Sequence, residues 1–202
     1  VTATCHITVI PEIPGLKNGG FELGDQYWVI DEEIVGNAKI SSSDNHLNGS
    51  YSLHYAAVST GLDIGFSQLV KGLEAGTYTL TCRVMGYSKE TTGYIFAGNL
   101  QSAPFQTKGW TSNESGWITV TLENIVVEEG GDLLVGAKVS ATTSSAWGDF
   151  DDFTLVKNEV SVDTAALEEA IAAAEAVNTE DYTEETVTAL EEALAAAKAV
   201  LE

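Results

Sequence analysis

The sequence is poor in positive charge. Lysine and arginine number 9 against 30 aspartates and glutamates, which gives a formal net charge of −21 over 202 residues. A protein that binds nucleic acid or an anionic membrane surface needs a basic patch to neutralise phosphates. The composition therefore predicts no nucleic-acid partner and no membrane partner. It is compatible with a secreted, soluble module that binds Ca²⁺.

Cysteines and long apolar runs are also scarce. The two cysteines, Cys5 and Cys82, do not stand in a spacing typical of a metal or redox site. A buried, unpaired Cys82 and a Cys5–Cys82 disulfide both remain open. No apolar run approaches the ~20 residues of a spanning helix, and no signal peptide opens the chain. We therefore expect an excised fragment of a longer, multimodular protein.

Between Leu16 and Lys157 the local signals are those of short β-strands. Glycines and clusters of Asn, Asp and Ser interrupt the pattern at intervals typical of antiparallel strands, and no helical period appears. Nine strands are predicted, at Trp28–Ile30, Ala38–Ser42, Tyr51–Ala57, Ile64–Val70, Gly76–Tyr87, Gly93–Asn99, Trp117–Leu122, Asp132–Ser140 and Asp149–Val156. Over ~140 residues this pattern predicts an all-β jelly-roll sandwich.

After Asn158 the composition becomes helical. Asp163 or Thr164 is a candidate N-cap for one helix, and Thr183 is a candidate for a second. Apolar residues at helical spacing give each helix one apolar face, so the tail is a small helical hairpin. We expect three parts: 1–15, the tail of a preceding Ig-like module or a linker; 16–158, the sandwich; and 159–202, the helices.

The segment from Ala146 to Leu155 gathers carboxylates and aromatics into the last strand. Strict alternation places Phe150, Asp152 and Thr154 on one side of it. The other side then carries Asp149, Asp151, Phe153 and Leu155. Carboxylates among apolar side chains are costly unless a partner satisfies them. A hard cation or a hydroxyl-rich ligand would do so, whereas a solvated edge strand is the alternative.

Several motifs together resemble a known family. In chain order they are Asn18-Gly-Gly-Phe-Glu22, Trp28, Asn48-Gly-Ser-Tyr-Ser-Leu53, Gln68-Leu-Val-Lys-Gly-Leu-Glu-Ala-Gly-Thr-Tyr-Thr-Leu80 and Asp151-Asp-Phe-Thr-Leu155. This region resembles a galactose-binding-like β-sandwich carbohydrate-binding module. It is most similar to the galactan-binding modules of bacterial endo-β-1,4-galactanases. The helical tail resembles a FIVAR module, which normally has one further helix and accompanies secreted or cell-wall-attached proteins of Gram-positive bacteria.

The resemblance implies a structural Ca²⁺ that joins the N-terminal segment to the last strand. Its ligands would be Glu22, Asp151 or Asp152, and backbone carbonyls near Gly20 and Ser50. Ca²⁺ takes six to eight carboxylate and carbonyl oxygens, which such a set can supply. Which aspartate of the pair coordinates stays open.

A saccharide ligand needs an aromatic ring for its C–H face and polar groups for its hydroxyls. Trp147 and Trp110 are flanked by small polar residues, as is typical of functional loops, whereas Trp28 is expected in the core. Galactose suits such stacking because its axial O4 leaves one face apolar. The candidate ligand-binding residues are Trp147, Trp110, Asp149, Arg83, Tyr87 and Asn113.

The sequence thus favours a non-catalytic module that targets a secreted glycan-degrading enzyme to plant polysaccharide, above all β-1,4-galactan. We expect it to be monomeric within its larger chain. A cell-surface adhesion or spacer module is the alternative. Enzyme activity is disfavoured because no nucleophile-elbow or zinc-protease motif occurs. The spacing of Asp149 and Asp151 is common on any acidic strand.

Overall fold

The computed structural model describes residues 15–32, 37–42, 45–57, 61–87, 91–109, 116–159 and 164–201. The chain divides into two compact units, the first ending at Asn158 and the second beginning at Glu159. The predictions made for Cys5, Trp110 and Asn113 fall outside the described residues.

The first unit is built from two antiparallel sheets. The strands of the first sheet, in spatial order, are β1 (Val29–Glu32), β4 (Leu62–Leu73), β10 (Gly131–Ala141), β6 (Thr92–Ala97) and β7 (Leu100–Gln101), with β8 (Phe105–Gln106) also paired to β6. Those of the second are β2 (Ala38–Ser41), β3 (Ser52–Ala56), β11 (Trp147–Lys157), β5 (Gly76–Gly86) and β9 (Ile118–Val127). The predicted sandwich is confirmed, and β7 and β8 are the strands that the sequence did not predict.

The core lies between the two inner faces. Alternation along β5 buries Tyr78, Leu80, Cys82 and Val84, as the sequence predicts. Burying one such side chain stabilises the fold by about 1.5–3 kcal/mol. Cys82 is a free thiol in this core, and burial raises its pKa well above the ordinary value.

Five aromatic rings pack against one another in the core. Trp28 packs against Phe21, Phe66 and Phe153 at centroid distances of 5.3, 5.6 and 5.1 Å. Phe66 also packs against Phe150 at 5.0 Å. The indole N–H of Trp28 donates to a backbone carbonyl 2.9 Å away, so its one polar group is satisfied. Trp28 is therefore a core residue, as expected from the sequence.

The last strand differs from its predicted alternation. The pairing of β11 with β5 shifts register between Asp151 and Thr154, and Asp152 has a φ of 51°. This bulge inserts an extra residue into β11, so Phe150 and Phe153 both point into the core. The prediction that Phe153 shares a side with Asp149 and Asp151 was wrong. The strand also begins earlier than predicted and includes Trp147.

The second unit contains helices α1 (Ala165–Glu175) and α2 (Glu184–Ala199). Thr183 caps α2, because its hydroxyl accepts the backbone N–H of Thr186 at 3.4 Å, and Glu184 and Glu185 complement the helix dipole. Ile171 is the one buried residue of the two helices, at 9 % exposure. Neither helix is long and apolar enough to cross a membrane, a finding limited to the described residues.

Candidate functional site

Cross-strand pairing gathers the predicted ligand-binding side chains on the outer side of the second sheet. Asp149 of β11 pairs with His54 of β3 and with Met85 of β5. Asp151 pairs with Arg83 in the next outward-facing row. We call this surface the β11 face; its members are His54, Arg83, Met85, Tyr87, Trp117, Trp147 and Asp149. Four of the six predicted ligand-binding residues, namely Trp147, Asp149, Arg83 and Tyr87, lie together here.

Asp149 is the buried acid of the β11 face, with 0 % exposure. Its Oδ1 accepts the hydroxyl of Ser52 at 2.8 Å and lies 3.1 Å from Nδ1 of His54. Its Oδ2 is buried without a hydrogen-bond partner. An unsatisfied buried oxygen is costly, so Oδ2 would be stabilised by a hydrogen bond from any hydroxyl group that reached it.

Two unpaired donors lie on the same face. Nε of Arg83 and Nε1 of Trp117 are buried and have no hydrogen-bond partner. Trp117 is not a member of the main core cluster. Extending the register of Val84 and Ile118 by one residue places Trp117 opposite Met85. The face therefore offers two N–H donors and one carboxylate oxygen, a set that suits hydroxyl groups, which both donate and accept.

Aromatic rings lie in the row of side chains next to Asp149 and Met85. Trp147 stacks on Tyr87 with centroids 5.5 Å apart and ring planes 8° apart. The backbone N–H of Tyr87 donates to the carbonyl of Trp147 at 2.8 Å, which fixes the two residues side by side. His54 lies on the other side of the indole, 6.2 Å away at 34°. A flat ring beside unpaired polar groups is the arrangement that sugar binding needs.

Three members of the β11 face, His54, Met85 and Trp117, were not among the predicted ligand-binding residues. His54 could have been found, because it alternates with the buried Leu53 and Tyr55 on β3 and therefore faces outward. Parity also places Met85 and Trp117 outward, whereas their burial depends on what covers the outer face rather than on strand alternation.

Glu22 lies close to the loop that carries Ser50. Its two carboxylate oxygens accept the backbone N–H of Ser50 at 2.9 and 3.0 Å, and one of them also accepts that of Tyr51 at 2.9 Å. The Glu22 carboxylate thus fastens the N-terminal segment to the loop that enters β3.

Asp151 and Asp152 contact the same loop from β11. Oδ2 of Asp151 accepts the N–H groups of Leu47 and Asn48 at 2.8 and 3.2 Å, and Asp152 accepts the side-chain amide of Asn48. Burial raises the pKa of Asp151 from 3.8 to about 6, although its backbone hydrogen bonds oppose the rise. Gly20 lies beside this pair, since a Cβ on it would be 3.4 Å from Oδ1 of Asp151.

The five predicted calcium ligands thus surround one loop, and their chemistry fits a hard cation. None of the three acids forms an ion pair with lysine or arginine within the described chain. Each of the three carboxylates keeps one oxygen that accepts no more than one N–H group and so has a free lone pair, and backbone carbonyls could complete a set of six to eight. No three His, Cys, Asp or Glu side chains cluster tightly enough to hold a metal by themselves in the part of the chain described here.

A separate groove of about 380 Å³ lies on the outer side of the first sheet. Its lining includes Asp63, Tyr94 and Lys138. The buried, unpaired side-chain atoms identified on the β11 face have no counterpart in this lining among the described residues. The β11 face is therefore the stronger candidate site, and Tyr94 provides a matched position for comparison.

No family model matches the chain, and no curated protein matches it. Solved structures do resemble it. The structure of TmCBM61 in complex with β-1,4-galactotriose aligns with a TM-score of 0.62 and 24 % identity, over 73 % of this chain and 100 % of that one.

Two other structures share the architecture more distantly. The K3 adhesin domain of Lys-gingipain from Porphyromonas gingivalis W83 aligns with a TM-score of 0.51 and 14 % identity, over 69 % of this chain and 97 % of that one. The enzymatically active domain of tailspike protein 4 from bacteriophage CBA120 aligns with a TM-score of 0.51 and 14 % identity, over 74 % of this chain and 22 % of that one. At these identities the likeness establishes a shared fold, which occurs in a carbohydrate-binding module, an adhesin domain and a tailspike.

Proposed function

We propose that the chain is a non-catalytic carbohydrate-binding module that recognises galactose-containing glycans, above all β-1,4-galactan. The observation that carries the proposal is the β11 face, where unpaired buried Asp149 Oδ2, Arg83 Nε and Trp117 Nε1 share the outer side of the second sheet with two stacked aromatic rings. The similar fold of a module that was solved with β-1,4-galactotriose supports the choice of ligand.

Galactose matches this surface in two ways. Its axial O4 leaves one face of the pyranose rich in C–H groups, and that face packs well on an aromatic ring. Its hydroxyls could then accept from Arg83 and Trp117 and donate to Asp149. Filling these positions would remove the penalty of unpaired buried groups, so affinity and specificity would come from the same three atoms.

A binding role accounts for the acids of β11 better than catalysis does. A glycosidase needs one carboxyl group to donate a proton and another to act as nucleophile or base, on either side of the scissile bond. Asp149 is instead buried and held by Ser52 and His54. Asp151 is held by two backbone N–H groups of the loop before β3. Both carboxylates therefore already serve as structural acceptors.

We also propose a structural Ca²⁺, bound by Glu22, Asp151 or Asp152 and carbonyls near Gly20 and Ser50. Three uncompensated carboxylates contact one loop, and a divalent cation would neutralise them. When bound, the ion would supply the positive charge that compensates these carboxylates. Its role would be structural, because it would strengthen the connection that the loop before β3 already makes between Glu22 and β11.

The proposed biological setting is a secreted or cell-wall-attached protein. There the module would hold a glycan-degrading enzyme on plant polysaccharide as a monomeric part of a longer chain, and the FIVAR-like helices would serve as an accessory unit. An adhesion or spacer module is the second candidate, favoured by the similar fold of an adhesin domain.

A glycan array of the intact chain, followed by affinity electrophoresis in β-1,4-galactan, tests the proposal. We expect retention on galactan and no release of reducing ends during prolonged incubation. Replacing Asp149 with Asn keeps its shape but exchanges an acceptor for a donor, and we expect weaker binding. Binding to no glycan would favour the adhesion or spacer alternative, whereas release of reducing ends would show an enzyme.

A further inference from the structure

The stacked pair on the β11 face determines which aromatic surface a ligand can reach. The ring planes of Trp147 and Tyr87 differ by 8° and their centroids are 5.5 Å apart. Two rings side by side in one plane would collide at this separation, so the arrangement is an offset stack in which one face covers the other. The indole face that is turned toward β5 is therefore occupied by Tyr87.

The opposite face of the indole is turned toward β3. β11 lies between β3 and β5 in the sheet, and His54 of β3 packs against Trp147 with centroids 6.2 Å apart. His54 is itself held by the Asp149 carboxylate. Trp147 thus lies between two rings and is only partly exposed, less than Tyr87.

Tyr87 occupies the end of this stack. One face of its ring lies against Trp147, and the residue is 49 % exposed, so Tyr87 is the more accessible ring of the pair. We infer that Tyr87 presents the ring on which the sugar stacks and that Trp147 is a positioning residue that holds Tyr87 upright. This inference rests on the proposed function and reverses the roles that the sequence alone predicts for the two residues.

The position of Tyr87 also defines the half of the sheet that the ligand covers. Arg83 and Met85 lie on the outer side of β5 and Tyr87 follows directly after its end, each two residues or about 6.6 Å from the next. A sugar on Tyr87 would extend toward Met85 and Trp117 in the next row of side chains, and Trp117 carries one of the two unpaired N–H donors. The ligand class that fits is a neutral pyranose chain, with one apolar face for the phenol ring and oxygen lone pairs for the donors.

Affinity electrophoresis in β-1,4-galactan with ring-specific variants tests the inference, with a thermal melt to show that each variant is folded. Y87A should lose about thirty-fold in affinity, as truncation of a stacking anchor typically does. Y87F keeps the ring and should restore most of the affinity that Y87A loses. Y94A removes a tyrosine from the outer side of the first sheet and should bind like the parent. For Trp147, W147F should restore most of the affinity that W147L loses, because only a flat ring can support Tyr87.

The outcomes separate this inference from the proposed function. If W147L loses binding while Y87A binds like the parent, the indole is the stacking surface and the inference is overturned. If W147L binds like the parent, its positioning role is overturned. If Y94A loses binding while Y87A retains it, the site lies on the other sheet. If the unmodified chain binds neither galactan nor another neutral glycan, the proposed function falls, and this inference falls with it.

Discussion

The carboxylate of Glu22 occupies the space that any side chain on Gly49 would need. A Cβ at Gly49 would meet the Cδ and both carboxylate oxygens of Glu22, the farthest of them at 2.7 Å. The φ of Gly49 is +69°, a left-handed conformation that other residues adopt only at a cost. The absence of a side chain at Gly49 is thus a condition for the hydrogen bonds that Glu22 makes to Ser50 and Tyr51.

Replacing Gly49 with Ala should lower the melting temperature of the sandwich and weaken calcium binding. The left-handed conformation alone costs about 1–2 kcal/mol, and displacement of Glu22 adds the loss of its hydrogen bonds. Gly24 is the matched control, since its φ is +68° and nothing lies within 4 Å of its missing Cβ. Equal destabilisation by G24A and G49A, measured by thermal unfolding, would contradict the role of Glu22.

Removal of calcium should destabilise the sandwich and leave the helices unaffected. A ligand that binds only the folded state at a hundredfold excess over its Kd contributes about 2.7 kcal/mol. Chelation should therefore lower the melting temperature by roughly 5–10 °C. Near-ultraviolet circular dichroism follows the aromatic core in this experiment. An unchanged melt in EDTA, together with no metal by elemental analysis, would rule out the proposed Ca²⁺.

Truncation of Trp28 to Ala should destabilise the sandwich by about 3–5 kcal/mol, the usual cost of a large cavity in a core. The ring contacts Phe21, Phe66 and Phe153, and its N–H is bonded to Asn18. Trp28→Phe keeps part of the contact and should cost less. Urea unfolding gives both values, and a W28A chain that is as stable as the parent would place Trp28 outside the core.

Cys82 should react with a thiol reagent only after unfolding. The side chain has no exposure, and burial strongly raises its pKa, so almost no thiolate is present near neutral pH. The measurement is the rate of modification at Cys82 by 5,5′-dithiobis(2-nitrobenzoate) in native buffer and in urea, followed by peptide mapping. Rapid native modification at Cys82 would show that the inner face of β5 opens readily.

Deleting residues 161–202 should leave galactan binding unchanged. The boundary between the two compact units follows Asn158, and every member of the β11 face belongs to the first unit. Affinity electrophoresis of the shortened chain, with a thermal melt as a check of folding, provides the measurement. A folded sandwich that no longer binds would show that the helical unit contributes to the site.

Strand positions were readable from the sequence because alternation and turn residues are local signals. β5 shows this well, since Tyr78, Leu80, Cys82 and Val84 are all buried as the pattern indicates. The bulge in β11 was not readable. It depends on the left-handed conformation of Asp152, and aspartate gives that signal far less clearly than glycine. Strict alternation therefore placed Phe153 on the wrong side of the strand.

The candidate site also combines features that could be predicted from the sequence with features that could not. Outward positions such as Arg83, Tyr87 and Asp149 follow from strand parity. The stack of Tyr87 on Trp147 does not, because it depends on which strands are neighbours: β11 enters the sheet beside β5 only after some sixty residues of intervening chain. Burial of the unpaired donor on Trp117 was likewise unpredictable, since it requires knowing what covers the outer side of the sheet.

The place of β11 in the sheet has a consequence for synthesis on the ribosome. This last strand of the sandwich is inserted between β3 and β5, so the second sheet stays split until residue 157 has left the exit tunnel. Until then β3 and β5 each present an unpaired edge, the kind of surface that pairs with other chains and leads to aggregation. A nascent chain of this protein should therefore need chaperone protection almost to the end of the sandwich, and then fold within one late step.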